Sequence, residues 1–170
     1  TNSGLSMVDW QPIMGIFPPQ DNDSWLRIFN AYKKSPEFII VNPSMNLSEF
    51  KYIFWWEWFH RLFARCIGLV FLIPMFFFIF KKKISIKLLK SLILLLLLGS
   101  LQAIVGWWMV KSGLNENPYV SQYRLAFHLT NAVLILSILF WLTINTWFKK
   151  NIKFLPYNFT EIFIFFLLVL

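Results

Sequence analysis

Charged residues are scarce in this sequence. They make up 14% of its 170 residues, whereas hydrophobic residues make up 58% and aromatic residues 20%. The mean hydropathy is +0.59, while a soluble domain carries about 25% charged residues. The scarcity of charge therefore excludes an ordinary soluble domain and indicates an integral membrane protein.

Cysteine and histidine are also nearly absent. The single cysteine, Cys66, excludes an intrachain disulfide bond, and its place in an apolar run is typical of a structural thiol. The two histidines are His60 and His128. Zinc prefers four ligands, and Glu57 is the one conventional ligand that accompanies the histidines, so the sequence disfavours a zinc site.

Long apolar runs dominate the second part of the chain. Those at about 54–80, 90–110 and 123–147 are long enough to cross a membrane, whereas the run at 157–170 is too short. We expect an all-α integral membrane protein, in which residues 54–170 form a bundle of three complete helices and a truncated fourth. Because the chain starts without Met and stops within an apolar run, we expect it to be a fragment of a larger membrane protein.

The charges that are present are distributed unevenly along the chain. The formal net charge is +8. Residues 1–53 carry similar numbers of acids and bases, whereas lysines crowd the loops after the first and third apolar runs. Cytoplasmic loops carry such an excess of lysine, so residues 1–53 are predicted to lie on the outer face. This placement explains the positive charge without a nucleic-acid partner.

Residues 1–53 are predicted to form an outer segment with one short helix. Asp23 or Ser24 can cap this helix, and its apolar residues recur at helical spacing, which predicts packing on the membrane surface or on the bundle. These residues are Trp25, Ile28, Phe29 and Tyr32. Asn46 followed by Glu49 is typical of a capping box and predicts a helix that runs directly into the first span.

Charged groups cluster at the start of the first span, in WWEWFHRLFAR. Glu57 and His60 are three residues apart and share a helical face, while Glu57 and Arg61, then Arg61 and Arg65, are four apart. Intramembrane charges are costly and usually functional. For Glu57, one interpretation is an ion pair with Arg61, and the other is a proton or radical role beside a cofactor.

His128 opens the third span, with Arg124 one turn before it. The first and third spans run in the same direction, so His60 and His128 lie at similar depths. A lone intramembrane histidine is usually a hydrogen-bonding group, but two at one depth favour haem, because haem iron accepts imidazole ligands axially. The haem propionates need cationic partners, which the arginines of this region can supply. They are Arg61, Arg65 and Arg124.

The second span carries no charge. Gly99, Ala103 and Gly106 form a seam of small residues, which predicts a close helix contact or room for the edge of a flat cofactor. Gln102 is the one strongly polar residue of the span, and it can hydrogen-bond across the bundle.

Several of these motifs resemble the haem A synthase family. They are EWFHR in the first span, GSLQAIVGWWMVKSGL across the second, YRLAFHL opening the third and SGLSMVDWQPIMGIFPP near the start. The resemblance covers essentially the whole chain. It implies an eight-helix protein of two similar halves, of which this chain holds most of the first. It also implies oxidation of the C8 methyl group of haem O to the formyl group of haem A, for assembly of cytochrome c oxidase.

The resemblance implies roles for individual residues. His60 and His128 match the histidine pair associated with the substrate haem, and Glu57 matches a carboxylate associated with catalysis. A second half with its own histidine pair, for a haem b cofactor, is absent from this chain, so the fragment is expected to be inactive alone. Some members carry a cysteine pair in the first outer loop, and residues 1–53 contain none. This favours the mitochondrial and α-proteobacterial branch and excludes a thiol relay in that loop.

The resemblance also implies a location and partners. A multi-pass protein of the bacterial plasma membrane or the mitochondrial inner membrane is expected. Its partners would be haem O, membrane lipid, haem O synthase, an electron donor and further copies of itself.

Three other functions are compatible with the same residues. A b-type cytochrome subunit would use both histidines to carry electrons and would not need Glu57. A transporter or channel would use the intramembrane charges as an ion path. A structural assembly subunit would tolerate loss of both histidines.

Overall fold

The computed structural model describes residues 5–8, 16–114 and 118–147, and in these ranges it is helical without strands. Two short helices precede three long ones. In chain order they are α1 (Asn22–Tyr32), α2 (Pro36–Ile40), α3 (Leu47–Phe80), α4 (Ile86–Leu114) and α5 (Gln122–Trp147).

The three long helices have the length and composition of membrane spans. They contain 34, 29 and 26 residues, and each is apolar enough to cross a membrane. Most of their side chains are not buried within the chain, as expected for helices that face lipid. The predicted all-α membrane bundle is confirmed. The predicted truncated fourth helix, 157–170, lies outside the described residues.

Local capping determines where α1 and α3 begin. At α3 the predicted capping box is present, because the Asn46 side chain accepts from the backbone of Ser48 and Glu49, and the Glu49 carboxylate accepts from the Asn46 N–H. At α1 the prediction of Asp23 or Ser24 as cap is wrong. Asp21 has extended backbone and its carboxylate accepts from the Ser24 N–H at 2.6 Å, so Asp21 is the cap.

The apolar stripe of α1 packs on the first turns of α3. The ring centroid of Trp25 lies 5.0 Å from that of Phe54, and Phe29 and Tyr32 lie 5.1 and 5.0 Å from Phe50. Tyr32 and Phe50 are fully buried. Of the two predicted locations for the stripe, the structure therefore shows the one on the bundle. This aromatic cluster fixes α1 and α2 at the end of the bundle where α3 begins.

The helices α4 and α5 form the most extensive helix pair among the described residues. The predicted seam of small residues on α4 is correct in part. A Cβ atom built on Gly106 would meet Cε1 of His128 at 3.0 Å, which shows that α5 approaches α4 closely there. Gly99 has nothing within 4 Å of such an atom, and Ala103 is exposed. The close contact is therefore confined to Gly106.

Candidate functional site

Glu57 accepts more hydrogen bonds than any other carboxylate among the described residues. It is buried in α3, and its Oε1 accepts a hydrogen bond from Nη2 of Arg61 at 2.5 Å. Its Oε2 accepts from the Ser6 hydroxyl at 2.6 Å and from the Met7 N–H at 2.9 Å. All three partners donate, an arrangement that suits an ionised carboxylate, which only accepts. The ion pair with Arg61 that the spacing suggests is therefore present.

The donors to Glu57 come partly from a segment distant in sequence. Ser6 and Met7 lie about fifty residues before Glu57 along the chain. The neighbouring Leu5 packs on Gly113 near the end of α4, where an added Cβ atom would meet the Leu5 side chain at 2.8 Å. Residues 5–8 thus join the start of α3 to the end of α4, and Glu57 is the polar anchor of this junction.

His128 turns towards α4. The side-chain amide of Gln102 contacts the imidazole Nε2 at 3.2 Å and donates to the backbone carbonyl of His128 at 3.2 Å. An amide nitrogen can only donate, so Nε2 accepts and the ring proton is assigned to Nδ1. Nδ1 is buried and has no hydrogen-bond partner among the described residues.

Asn131 extends this polar contact by one turn of α5. Its amide donates to Oε1 of Gln102 at 2.7 Å and to the carbonyl oxygen of Leu98 at 3.1 Å. Asn131 is itself buried. Gln102 therefore forms the predicted hydrogen bonds across the bundle, and Asn131 orients it. Sequence reasoning missed Asn131, although its position three residues after His128 was a usable signal.

The arginines differ in their surroundings. Arg61 is paired with Glu57. Arg124 donates from Nη1 to the carbonyl oxygen of Trp108 at 2.8 Å, and its guanidinium lies 4.2 Å from the centroid of the Trp108 ring. Arg124 therefore ties the start of α5 to α4. Arg65 is half-buried on α3, one turn beyond Arg61.

His60 is exposed on α3, although it is one turn beyond the buried Glu57. His60 belongs to α3 and His128 to α5, and no contact between the two rings is among those that the described residues show. The structure keeps each ring on its own helix. It does not turn the His128 ring towards α3, because Gln102 and Gly106 hold that ring against α4.

A second buried carboxyl group lies outside the predicted site. Glu37 of α2 is 3% exposed, and burial raises its pKa to about 7. Close by, Asn42 donates from Nδ2 to the Tyr32 hydroxyl at 3.1 Å. Burial likewise raises the pKa of Tyr32 to about 12. Sequence reasoning missed Glu37, because an acid at the start of a short helix is usually exposed.

The donor set suits haem better than an isolated metal ion. Within residues 5–8, 16–114 and 118–147, no group of three or more His, Cys, Asp or Glu side chains could hold a metal ion. Two imidazoles and three guanidiniums match the axial ligands and the propionate partners of a haem. The exposed ring of His60 is accessible to a ligand. Nε2 of His128 is occupied by Gln102, so binding of haem iron at this atom requires that His128 gives up this contact.

Comparison with known proteins gives consistent matches. The family described as cytochrome oxidase assembly protein matches residues 1–170. A haem A synthase of Nitrosospira multiformis is 49% identical over 145 residues, which are 85% of this chain and 41% of that protein. Haem A synthases of Parvibaculum lavamentivorans and Bradyrhizobium diazoefficiens are 43% and 51% identical, over 91% and 83% of this chain and 45% and 39% of those proteins. The chain thus spans less than half the length of these curated relatives. No solved structure matches it.

Proposed function

We propose that this chain, which belongs to the haem A synthase family of cytochrome oxidase assembly proteins, forms the part of the enzyme that binds haem O and oxidises its C8 methyl group to the formyl group of haem A. The observation that carries this proposal is the buried Glu57 carboxylate, one helical turn before His60. Membrane helices rarely bury such a group without a functional reason.

The histidines and arginines would hold the substrate. His60 and His128 would bind the haem O iron through their imidazole rings, and for this His128 would give up the amide of Gln102 at Nε2. Arg65 and Arg124 contact the propionates by charge-assisted hydrogen bonds. Arg61 contributes in the same way while it orients Glu57.

Glu57 would move protons at the reacting methyl group. Conversion of a methyl to a formyl group removes two hydrogen atoms, adds one oxygen atom and passes four electrons to an oxidant that the full enzyme must supply, so a nearby base is needed to take up the protons. Arg61, Ser6 and Met7 together fix the carboxylate in position. Haem b, which the resemblance assigns to the second half of the enzyme, is an electron carrier and has no proposed ligand among these residues.

The proposed location follows from the lysine distribution. With the lysine-rich loops on the cytoplasmic or matrix side, residues 1–53 and Glu57 lie at the outer face of a bacterial plasma membrane or a mitochondrial inner membrane. Haem O synthase, which would supply the substrate, and an electron donor are the partners that we propose for this activity. The membrane lipid surrounds the three long helices.

Replacement of Glu57 by Gln in the full-length protein tests the catalytic role. Gln keeps the shape of the side chain but cannot take up a proton, so the variant should bind haem O and fail to make haem A. The matched control is Glu49→Gln, which keeps the capping box of α3. Haem composition of the purified proteins is measured by extraction and mass analysis. Normal haem A production by Glu57→Gln would leave only the anchoring role of this residue.

The same measurement distinguishes a b-type cytochrome subunit. This second candidate is favoured by the three hydrogen bonds that already occupy Glu57. It predicts bound haem b without any haem A, in the wild type as in the variant.

Histidine variants test the proposed ligation of the substrate haem. His60→Ala and His128→Ala should lose the substrate haem and retain haem b. Unchanged haem O content and spectra in both variants would refute axial ligation by these residues.

A further inference from the structure

Lysines crowd the end of α3 and the start of α4, and the proposed chemistry uses none of them. Each of these lysines is exposed. No Asp or Glu occurs in the sequence from residue 58 to residue 115, so no acidic neighbour along the chain offsets their charge. They are called the lysine turn here and comprise Lys81, Lys82, Lys83, Lys87 and Lys90.

A tight reversal of the chain brings the lysines of both helices together. Residues 81–85 connect the end of α3 to the start of α4. The Lys83 N–H donates to the carbonyl oxygen of Phe78 at 3.0 Å and closes the end of α3. The Ser85 hydroxyl accepts from the Leu88 N–H at 3.3 Å and caps α4. Cationic side chains from two helix ends therefore share one short turn.

Lys82 has a backbone conformation that suits glycine. Its φ is 52°, and within the described ranges it is the one residue other than glycine with a positive φ. In this left-handed conformation the Cβ atom crowds the backbone, so glycine is the usual residue where a helix ends in this way. Formation of the turn does not explain a lysine at this position, whereas a use for its charge does.

Apolar side chains lie exposed beside the lysine turn. Phe80 and Ile86, which flank it, are 81% and 71% exposed. The part of α4 that follows Lys90 is uncharged over residues 91–110, about 30 Å at ~1.5 Å per residue, which matches the hydrocarbon core of a bilayer. The lysines therefore lie at the level of the lipid headgroups, with apolar side chains beside the acyl chains. This combination fits a lipid, since a free anion makes no use of the apolar residues.

We propose that the lysine turn is a binding surface for the phosphate groups of anionic phospholipids. Lysine ammonium groups bind phosphate as compact point charges. The start of α4 adds a partial positive charge, because the dipoles of its peptide groups are aligned. A lysine close to an anionic membrane surface strengthens association by about fivefold. In a lipid such as phosphatidylcholine the headgroup cation offsets the phosphate charge, so the surface prefers phosphatidylglycerol.

Native mass spectrometry of the full-length protein, purified in detergent and stripped of lipid, tests this preference. Phosphatidylglycerol and phosphatidylcholine with the same acyl chains are titrated in parallel, and phosphatidylglycerol should bind more tightly. Lys82→Gly should weaken its binding by about fivefold, and the double variant Lys81→Gln/Lys83→Gln should weaken it further. The control is Lys34→Gln, at an exposed lysine after α1, which should bind as the wild type does. Equal affinities for the two lipids, or an unchanged affinity in Lys82→Gly, would overturn the proposal.

Thermal unfolding separates the charge of Lys82 from its part in the fold. Lys82→Gly should be at least as stable as the wild type, since glycine suits the positive φ, although it binds phosphatidylglycerol less tightly. A residue with only a structural role would change stability and lipid binding in the same direction. Lys82→Arg keeps the charge and should retain the affinity. A loss in Lys82→Arg as large as in Lys82→Gly would contradict recognition by charge.

Competition identifies the kind of anion that the lysine turn accepts. Inorganic phosphate and poly-L-glutamate are added to the complex with phosphatidylglycerol, and neither should displace the lipid. Displacement by inorganic phosphate at an equal concentration would assign the surface to a free anion. Displacement by poly-L-glutamate would assign it to an acidic protein. Either result would overturn the lipid assignment.

Discussion

The side-chain amide of Gln102 on α4 donates a hydrogen bond to Nε2 of His128 on α5, with 3.2 Å between the two nitrogen atoms. The same amide group donates to the backbone carbonyl oxygen of His128. Asn131 donates in turn to the side-chain oxygen, Oε1, of Gln102. The contact stabilises the α4–α5 pair and competes with any iron that binds the same lone pair of His128.

Gln102→Leu should therefore strengthen the binding of haem O. Leu has a similar size and cannot donate to Nε2, so the competition disappears. A hydrogen bond within a membrane contributes about 0.6 kcal/mol on average, which corresponds to about a threefold gain in affinity. Titration of the full-length protein with haem O, followed by absorbance, measures it. Gln122→Leu, at the exposed start of α5, is the control. Loss of binding as severe as in His128→Ala would contradict simple competition.

Gly106→Ala and Gly99→Ala form a matched pair on α4. The added Cβ atom would stand 3.0 Å from Cε1 of the His128 ring at position 106, and would meet nothing within 4 Å at position 99. Alanine favours a helix by about 1 kcal/mol over glycine, so Gly99→Ala should be neutral or stabilising. Gly106→Ala should be the less stable of the two and should alter the haem spectrum. Thermal unfolding in detergent measures the difference, and equal stabilities would show that the His128 ring moves freely.

Arg124→Gln should weaken retention of the substrate haem. The loss of a charge-assisted propionate contact costs about 1.5–3 kcal/mol at most. Arg124→Lys keeps the charge but loses the planar contact with Trp108. Haem retention by this variant that lies between those of the wild type and Arg124→Gln would separate the contribution of the charge from that of the Trp108 contact. Arg27→Gln, exposed on α1, is the control. Full retention of haem by Arg124→Gln would exclude the propionate contact.

Stability should fall as the pH rises from about 4.5 to about 7, because of Glu37. Burial raises its pKa in the folded state, so the folded chain binds more protons than the unfolded chain in this window, and the free energy of unfolding decreases with pH. The effect is at most ~3.5 kcal/mol, since one pKa unit corresponds to about 1.4 kcal/mol. Thermal unfolding across this pH range should show the slope in the wild type and in Glu49→Gln. A slope of the same size in Glu37→Gln would assign it to another group.

Thiol labelling tests the proposed orientation. In a Cys66→Ser background, a membrane-impermeant reagent applied from the outer face should modify Gln20→Cys and leave Lys83→Cys unmodified. The physical reason is that the lysine-rich loops stay on the cytoplasmic or matrix side. The opposite pattern would reverse the topology.

Interactions between neighbouring residues of one helix could be predicted from residue order. Apolar runs predicted the three long helices, Asn46 and Glu49 predicted the cap of α3, and the four-residue spacing predicted the pair of Glu57 with Arg61. A helix repeats every 3.6 residues, so contacts of this range follow from order alone.

Contacts between distant segments could not be predicted in this way, because they depend on how the helices pack. The sequence predicted a close helix contact at both Gly99 and Gly106. The rotation and crossing of α4 and α5 place only Gly106 against His128. In the same way, Ser6 and Met7 reach Glu57, and Glu37 becomes buried, only because distant segments pack at one end of the bundle. Such contacts depend on how whole helices are placed relative to one another, which the spacing of residues within one helix does not specify.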